Sequence, residues 1–276
     1  MHGAALRALG LPHSYEAVRA SADELPGVVA LLREGAFDGL NVTVPHKERV
    51  LALVDALDES ARVAGAANTL VRQPDGRIVA HNTDAPALAA EIARLRGGAS
   101  WAADARALVL GSGGAARGAV AALGVPLGLQ EVGLREVAVR ARAFADPARR
   151  DAFAATAPCP VVLEPWEPSA SAEARTVVVV QATSAGMRGA DPGDAVAGVV
   201  AWGSLPPDAV AIDVVYAPRD TPWLRAARAR GLRADDGLGM LARQGALALG
   251  LWLAAAGEAS GASVTVALDA MRAALE

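Results

Sequence analysis

A glycine-rich turn between a buried strand and a helix is the feature that most constrains the fold of this chain. Residues 106–110 read RALVL, a compact apolar run, and GSGGAARG follows at once. Gly111, Gly113 and Ala116 give the spacing G-x-G-x-x-A, which permits a tight turn and a close approach of the backbone to a pyrophosphate. The helix beginning at Gly114 would point free N–H groups at the phosphates. A plain tight turn is the alternative, but the flanking strand and helix favour a dinucleotide site.

The end of the next predicted strand, REVAV at residues 135–139, indicates which dinucleotide would bind. An NAD site calls for Asp or Glu there, to hold the ribose 2′-hydroxyl. This chain has Arg140 and Arg142 instead, and guanidinium groups pair with a 2′-phosphate. The pattern therefore favours NADP. Two solvated arginines are the alternative in a chain this rich in arginine.

Short strand-like runs alternate with amphipathic helices along the chain, which predicts an α/β fold with a mostly parallel sheet covered by helices. Before residue 100 the pattern predicts strands at 14–18, 37–44, 66–72 and 77–82, and helices at 1–9, 22–33, 45–56 and 85–96. After residue 100 it predicts strands at 106–110, 135–139, 176–182 and 209–215, and helices at 236–256 and 260–275. The Gly/Ala/Ser-rich stretch at 96–106 reads as a linker between two α/β units.

Composition excludes several classes of protein. With 53% hydrophobic and 20% charged residues among 276, the chain reads as a soluble globular protein of one large or two modest domains. A net charge of −4 without a basic run argues against nucleic-acid binding. The single cysteine, Cys159, excludes an internal disulfide and a cysteine-rich metal site. No apolar run reaches the ~18 residues of a membrane span, and the N-terminus lacks a signal-peptide pattern, so a cytoplasmic location is predicted.

Lys47, in the run NVTVPHKERV, is the only lysine of the chain, and the other 25 of its 26 basic residues are arginines. Of the two side chains, only lysine releases a proton under mild conditions, once burial or neighbouring groups lower the pKa of its amine. A site that transfers a proton or needs a compact ammonium cannot use arginine. Lys47 also follows a strand end and a proline-initiated helix, where substrate clefts form. These features favour a functional lysine over one that survived by chance.

Asp84, in the run AHNTDAP, is the candidate carboxylate partner of Lys47, because it too lies where a strand ends and a helix begins. An ordinary helix cap by Thr83 or Asp84 is the alternative. Asn68 and Thr69 lie inside an otherwise apolar run, and a buried amide needs hydrogen-bond partners. A substrate hydroxyl is one candidate partner, and backbone groups are the other.

Seven motifs stand in the order found in the shikimate dehydrogenase family: GLNVTVPHKE, AGAANTL, HNTDA, LVLGSGGAARG, QATSAGM, VVYAPRDTPWL and DGLGMLARQGALAL. The chain thus resembles that family from residue 1 to about residue 253. Its members reduce 3-dehydroshikimate to shikimate with NADPH. The resemblance implies a two-domain α/β fold with the active site in the cleft between the domains. Residues 1–85 and 236–276 would form a split substrate-binding domain, and residues 86–235 a Rossmann-type NADP-binding domain.

The resemblance also implies roles for individual residues. Lys47 and Asp84 would be the catalytic pair: Lys47 would stabilise or protonate the carbonyl oxygen as hydride arrives, while Asp84 would orient Lys47 and share the proton. Substrate contacts would fall on Thr43, Asn68, Tyr216 and Gln244. Contacts to NADP would fall on Gly111, Ser112, Gly113, Gly114, Ala115, Arg140, Arg142, Val214 and Gly237. The implied partner is a small-molecule substrate, bound by a monomer or homodimer without a metal, a membrane or nucleic acid.

Several positions depart from the family pattern. Ala141-Arg142-Ala143 stands where the family has Asn-Arg-Thr, which weakens the expected preference for NADP, and Gln181 replaces an asparagine. The family's first strand and a Ser-x-Ser loop that anchors the substrate carboxylate would precede the helix that begins here at Met1. The resemblance is therefore to an N-terminally shortened member. A quinate/shikimate dehydrogenase-like paralogue and a truncated member of low activity are the alternatives.

Overall fold

The structure is a computed structural model that describes residues 1–98, 101–124, 134–258 and 263–276. The strands in these residues are β1 Gly39–Asn41, β2 Ala56–Leu57, β3 Thr69–Arg72, β4 Ile78–His81, β5 Arg106–Leu110, β6 Glu136–Arg140, β7 Val161–Glu164, β8 Thr176–Gln181, β9 Val210–Asp213 and β10 Arg233–Asp235. The α-helices are α1 His2–Ala8, α2 Leu25–Glu34, α3 Glu59–Ala64, α4 Asp84–Arg96, α5 Gly114–Gly124, α6 Pro147–Ala155, α7 Ala170–Glu173, α8 Asp194–Ala197, α9 Pro222–Ala229, α10 Leu238–Ala255 and α11 Ser263–Ala273. Short 3₁₀ helices occupy Arg49–Leu53, Arg142–Ala145 and Trp202–Ser204.

These elements form two units. The first unit comprises Met1–Ala87 and Gly239–Glu276, and the second unit comprises Leu88–Leu238. Each unit combines one sheet with several helices. This confirms the predicted α/β class. The first unit is assembled from both ends of the chain.

The second unit contains a six-stranded, fully parallel sheet with the strand order β10-β9-β8-β5-β6-β7. Its central strands β5 and β8 are buried throughout, as expected for a parallel sheet with helices on both faces. Counted from β5, this is the 3-2-1-4-5-6 order of doubly wound dinucleotide-binding sheets. The direction of winding reverses between β5 and β8, so the carboxyl ends of these two strands mark the switch point where such folds bind ligands.

The first unit contains a four-stranded mixed sheet with the order β1-β3-β4-β2. Only β2 and β4 run parallel, while β1 and β4 both pair antiparallel with β3. The prediction of a mostly parallel sheet is therefore wrong for this unit. A tight turn joins β3 to β4. It is closed by hydrogen bonds from the Gln73 N–H to the Arg77 carbonyl and from the Gly76 N–H to the Gln73 carbonyl, and such a short connection permits only antiparallel pairing.

The segment at 14–18, predicted as a strand, has no regular secondary structure. β1 is an edge strand of the sheet. Segment 14–18 and β1 both line a cavity of about 810 Å³, whose walls come from residues between 12 and 20 and between 36 and 46. A strand requires a neighbouring strand for its backbone N–H and C=O groups. Among the described residues segment 14–18 has none, and Tyr15 instead donates one side-chain hydrogen bond to Asn41 Oδ1 at 3.0 Å.

The α-helix predicted at 45–56 is also wrong. Pro45 follows a cis peptide bond after Val44, and a turn closed by the hydrogen bond from His46 N–H to the Thr43 carbonyl comes next. Only Arg49–Leu53 is helical, as a 3₁₀ helix. The helix ends there because the chain then enters the sheet as β2, which pairs with β4.

The C-terminal helices belong to the first unit. α1, α10 and α11 enclose an apolar core that includes Ala5, Leu249 and Met271. By length and composition α10 could cross a membrane, contrary to the expectation from the sequence, but the core helix of a globular protein meets the same criteria, so this is weak evidence. The last predicted helix begins at Ser263 in the described part of the chain. Positions 260–262 of that prediction, and positions 99–100 of the predicted linker, lie outside the described residues.

Candidate active site

Lys47 and Asp84 form an ion pair in the first unit, with 2.7 Å between Lys47 Nζ and Asp84 Oδ2. Lys47 lies in the turn after β1, and its carbonyl accepts a hydrogen bond from the Ala67 N–H at 2.8 Å. Asp84 is the first residue of α4, directly after β4. The side chains are 15% and 6% exposed. The pair is thus largely buried, and the lysine is the more exposed of the two side chains.

Asn82, rather than Thr83 or Asp84, caps α4. Its Oδ1 accepts hydrogen bonds from the N–H groups of Asp84 and Ala85, both at 3.1 Å, and its amide donates to the Ala66 carbonyl at 2.9 Å. The sequence analysis did not identify this residue, although an asparagine two positions before the first apolar turn is a recognisable capping signal. Because Asn82 takes the capping role, the carboxylate of Asp84 is left to bind Lys47.

Asn68 connects the ion pair to a buried polar cluster. Its Nδ2 lies 2.9 Å from Asp84 Oδ1, 2.9 Å from Thr83 Oγ1 and 3.2 Å from Gln244 Oε1. Its Oδ1 accepts hydrogen bonds from the Thr83 N–H and the Thr69 hydroxyl. An amide nitrogen has only two hydrogens, so it cannot serve all three acceptors at once. A hydroxyl group of a ligand could therefore replace one partner with little loss.

The structure brings four of the predicted residues of the first unit together: Lys47, Asp84, Asn68 and Gln244. Thr43 lies separately, four positions before Lys47 and exposed on the wall of the 810 Å³ cavity. Its carbonyl accepts from His46 N–H, and no hydrogen bond to its hydroxyl occurs among the described residues.

The glycine-rich turn of the second unit has the geometry that a dinucleotide needs. Gly111 follows β5 with φ +121°, and a Cβ there would lie 2.8 Å from the Ala182 carbonyl oxygen, so only glycine fits. Gly113 is exposed, with no atom within 4 Å of the position where a Cβ would stand. Gly237 packs so closely on Val214 that a Cβ would lie 2.4 Å from the Val214 carbonyl oxygen.

These features fit a dinucleotide at the carboxyl edge of the parallel sheet. The turn leaves open space at Gly113, and α5 begins with Gly114 and directs its first N–H groups towards that space. Ser112 and Ala115 complete the turn and are partly exposed. Val214 directly follows β9 at the same edge.

Arg140 does not have the predicted role. It is 1% exposed, and its guanidinium group bonds Glu164, Glu173 and the Val199 carbonyl at distances of 2.7–3.2 Å. These contacts occupy all five N–H donors, one at Nε and two at each Nη. The prediction that Arg140 binds a 2′-phosphate is therefore wrong. The neighbouring carboxylates explain why, and the sequence around Arg140 did not reveal them.

Arg142 remains available for a phosphate. Its side chain is 62% exposed and pairs with Asp191, with 3.3 Å between Nη1 and Asp191 Oδ2. Its position at the start of the 3₁₀ helix after β6 is where a doubly wound fold recognises the ribose. Tyr216, predicted on the substrate side, is 41% exposed in the loop after β9.

Comparison with known proteins gives the family. Residues 1–70 match the family model described as the shikimate dehydrogenase substrate binding domain. A shikimate dehydrogenase (NADP(+)) of Methylobacterium radiotolerans is 44% identical over 254 residues, which are 91% of this chain and 85% of the relative. The crystal structure of shikimate 5-dehydrogenase from Thermus thermophilus with NADP(H) and shikimate matches at 36% identity and a TM-score of 0.74, covering 99% of this chain and 92% of that one.

A structure with a different named activity is also similar. The ligand-free 5-ketofructose reductase of Gluconobacter sp. strain CHM43 matches at 28% identity and a TM-score of 0.76, covering 99% of this chain and 91% of that one. Its sequence identity is lower than that of the Methylobacterium and Thermus shikimate dehydrogenases. The motifs, the fold and the 44% identity of a relative covered over most of its length lead to one conclusion: the chain belongs to the shikimate dehydrogenase family.

Proposed function

We propose that this chain catalyses the reversible, NADP-dependent reduction of 3-dehydroshikimate to shikimate, with Lys47 and Asp84 as its proton-transfer pair. The observation that carries the proposal is the incomplete set of contacts around the lysine. Among the described residues the Lys47 ammonium bonds only Asp84 Oδ2, which leaves two of its three N–H donors for a substrate oxygen.

The reduction needs a proton at the carbonyl oxygen. NADPH supplies a hydride to the carbonyl carbon when it is bound, and the negative charge then develops on the oxygen. Lys47 donates a hydrogen bond to that oxygen and then transfers the proton, which turns the carbonyl into a hydroxyl group. Asp84 holds the ammonium in place and stabilises its charge before transfer. In the reverse direction Lys47 accepts the hydroxyl proton.

The polar cluster around the pair would orient the ring hydroxyls of the substrate. Asn68 and Gln244 both present amide groups next to Asp84, and amides can donate to one hydroxyl while accepting from another. Thr43 and Tyr216 are proposed as further substrate contacts, since both are exposed.

The turn from Gly111 to Ala115 would hold the pyrophosphate of NADP, and Arg142 its 2′-phosphate. Val214 and Gly237 would line the cofactor site at the end of β9. We also propose that the protein is a soluble cytoplasmic enzyme that acts as a monomer or homodimer.

The test is NADPH oxidation by the purified protein with three substrates: 3-dehydroshikimate, 3-dehydroquinate and 5-ketofructose. The proposal requires the highest kcat/KM for 3-dehydroshikimate. A preference for 3-dehydroquinate would instead identify a quinate dehydrogenase-like paralogue, which is the second candidate. A preference for 5-ketofructose would overturn both.

A further inference from the structure

Two buried polar side chains end neighbouring strands of the parallel sheet. Gln181 is the last residue of β8, Asp213 is the last residue of β9, and the two stand opposite each other in the strand register. Both are 0% exposed. Gln181 Nε2 donates to Asp213 Oδ1 at 3.3 Å. The proposed catalytic steps use neither side chain.

Each side chain holds the loop that follows a strand. Gln181 Oε1 accepts from the Thr183 N–H, and its Nε2 donates to the Ala185 carbonyl at 2.9 Å. Asp213 Oδ1 accepts from the Val215 N–H at 2.9 Å, and Asp213 Oδ2 accepts from the Thr221 hydroxyl at 2.6 Å. The pair therefore fixes the loop after β8 and both ends of the loop from Val214 to Thr221.

The loop 214–221 carries Val214 and Tyr216, which are proposed to contact cofactor and substrate. A second set of bonds approaches it from the chain after β10. The Gly237 N–H donates to the Val215 carbonyl at 3.2 Å, and Arg219 Nε lies 2.7 Å from Asp236 Oδ2. Val215 is thus bonded through its N–H to Asp213 and through its carbonyl to Gly237, so the peptide groups on both sides of its Cα are held.

A carboxyl group buried at the position of Asp213 destabilises the fold. Burial raises the pKa of its carboxyl group to about 6, and the charge of Asp236 adds to the rise, against the hydrogen bonds from Thr221 and Val215. No cation pairs with Asp213 among the described residues. An apolar residue would be the less costly choice if this position only had to fill the core.

We propose that Asp213 and Gln181 are positioning residues that set the loop 214–221, and through it Val214 and Tyr216, for cofactor and substrate binding. The inference rests on the proposed function for the roles of Val214 and Tyr216. Its physical basis is that a displacement of about 1 Å in a positioning group lowers the rate as much as 100-fold.

Thr221→Val tests the proposal, because it removes the hydroxyl that Asp213 binds and keeps the shape of the side chain. Thr221 also caps α9 through Leu224 N–H, so Gln181→Met serves as a second variant that leaves the cap intact. Thr221→Ser keeps a hydroxyl group, and with it the hydrogen bonds to Asp213 and from the Leu224 N–H. The matched control is Thr176→Val in the same unit, which removes a buried hydroxyl bonded to the Ala172 carbonyl at 3.0 Å.

For each variant we measure Tm first. The Kd of NADPH and the kcat and KM for shikimate are then measured at a temperature the same number of degrees below the Tm of that variant. Thr221→Val and Gln181→Met should lower kcat/KM about tenfold or more, mostly through KM, and weaken NADPH binding. Thr221→Ser should match the parent protein, and Thr176→Val should lower only Tm. If both test variants lower Tm and leave kcat/KM and the Kd within twofold, the positioning role is wrong. A parent protein inactive on all substrates would defeat the proposed function, while the NADPH Kd would still decide this inference.

Discussion

In the part of the chain that the structure describes, each unit contains a buried ion cluster, and the two clusters differ in how completely their cations are bonded. In the first unit the Lys47 ammonium uses one of three donors, on Asp84. In the second unit the Arg140 guanidinium uses all five, on Glu164, Glu173 and a carbonyl. A cation with unused donors can bind a ligand, whereas a saturated one can only support the fold. Saturation, more than burial or charge, separates the candidate catalytic group from the structural one.

The surroundings point the same way. Glu164 is shared by a second arginine, since Arg106 Nη2 lies 2.7 Å from its Oε1, and Glu173 also accepts from the Ala201 N–H. The cluster of the second unit thus ties β5, β6, β7 and α7 together. Around Lys47 the neighbours of Asp84 are neutral amides and hydroxyls, which can exchange one partner for another without leaving a charge unpaired.

Removing Arg140 should have the largest effect. Arg140→Met leaves Glu173 buried without its cation, and loss of one partner of a buried pair lowers the free energy of unfolding by about 3–5 kcal/mol. Urea unfolding measures the change. Arg142→Met is the matched control: its side chain is exposed, and the change should stay within about 0.5 kcal/mol. Equal effects of the two substitutions would contradict a purely structural Arg140.

The same variant should reverse the pH dependence contributed by Glu173. In the parent protein burial raises the pKa of Glu173, but hydrogen bonds from Arg140 and its charge outweigh burial and lower it. A lowered pKa contributes stability above the unfolded value of 4.5, which is lost as the pH falls through the folded value. In Arg140→Met the cation is gone, and burial raises the pKa of Glu173. The contribution of Glu173 to the free energy of unfolding therefore increases as the pH falls from neutral, because protonation removes its buried charge.

This reversal is measured from the unfolding free energies of parent and variant between about pH 4 and pH 7, from the usual range of carboxyl pKa values up to neutrality. The difference between them should shrink as the pH falls. The double variant Arg140→Met, Glu173→Gln removes the titrating group and should abolish the change in slope. A constant difference across the range would show that Glu173 is not the group affected.

Removing Lys47 should affect catalysis most strongly. It also leaves the buried carboxylate of Asp84 without its cation, so the free energy of unfolding should fall as well. Lys47→Ala should lower kcat about 100-fold or more, the scale of a general acid–base group. Lys47→Arg should not restore the rate, because a guanidinium stays protonated and is larger. Arg49→Ala, which removes an exposed cation two positions away, is the control and should keep kcat within twofold. Near-normal turnover by Lys47→Arg would defeat the proposed proton transfer.

The sequence predicted the second unit better than the first. β5 and β8 are continuous apolar runs bounded by glycine or polar residues, and such runs are typical of buried parallel strands. The misses were of another kind. β2 and β10 are two and three residues long, too short to show a period. The strand predicted at 14–18 has the right pattern, but a strand forms only where another strand pairs with it.

The site shows the same limit at the level of single residues. Lys47 was identifiable because its residue type is unique in the chain, and Asp84 because both lie at strand ends. Arg140 and Arg142 were indistinguishable in sequence, two positions apart with the same side chain. The structure turns one inward to Glu164 and Glu173 and leaves the other exposed. Partners from β7 and α7 decide the difference, and these are distant in sequence.

Arg142 should give the smallest of these effects and the most selective. Its guanidinium charge is exposed and paired only with Asp191 among the described residues, so a 2′-phosphate would add one or two charge-assisted hydrogen bonds of about 1.5–3 kcal/mol each. Arg142→Ala should therefore weaken NADPH binding about tenfold or more and leave NADH binding unchanged, as measured by titration of cofactor fluorescence. An equal loss for both cofactors would show that Arg142 does not read the 2′-phosphate.

Asp191→Asn sharpens the test, because it frees Arg142 while keeping an oxygen for the Gly193 N–H that Asp191 now binds at 2.9 Å. Since an exposed ion pair contributes at most about 1 kcal/mol, this variant should bind NADPH more tightly by no more than about fivefold, with no change for NADH.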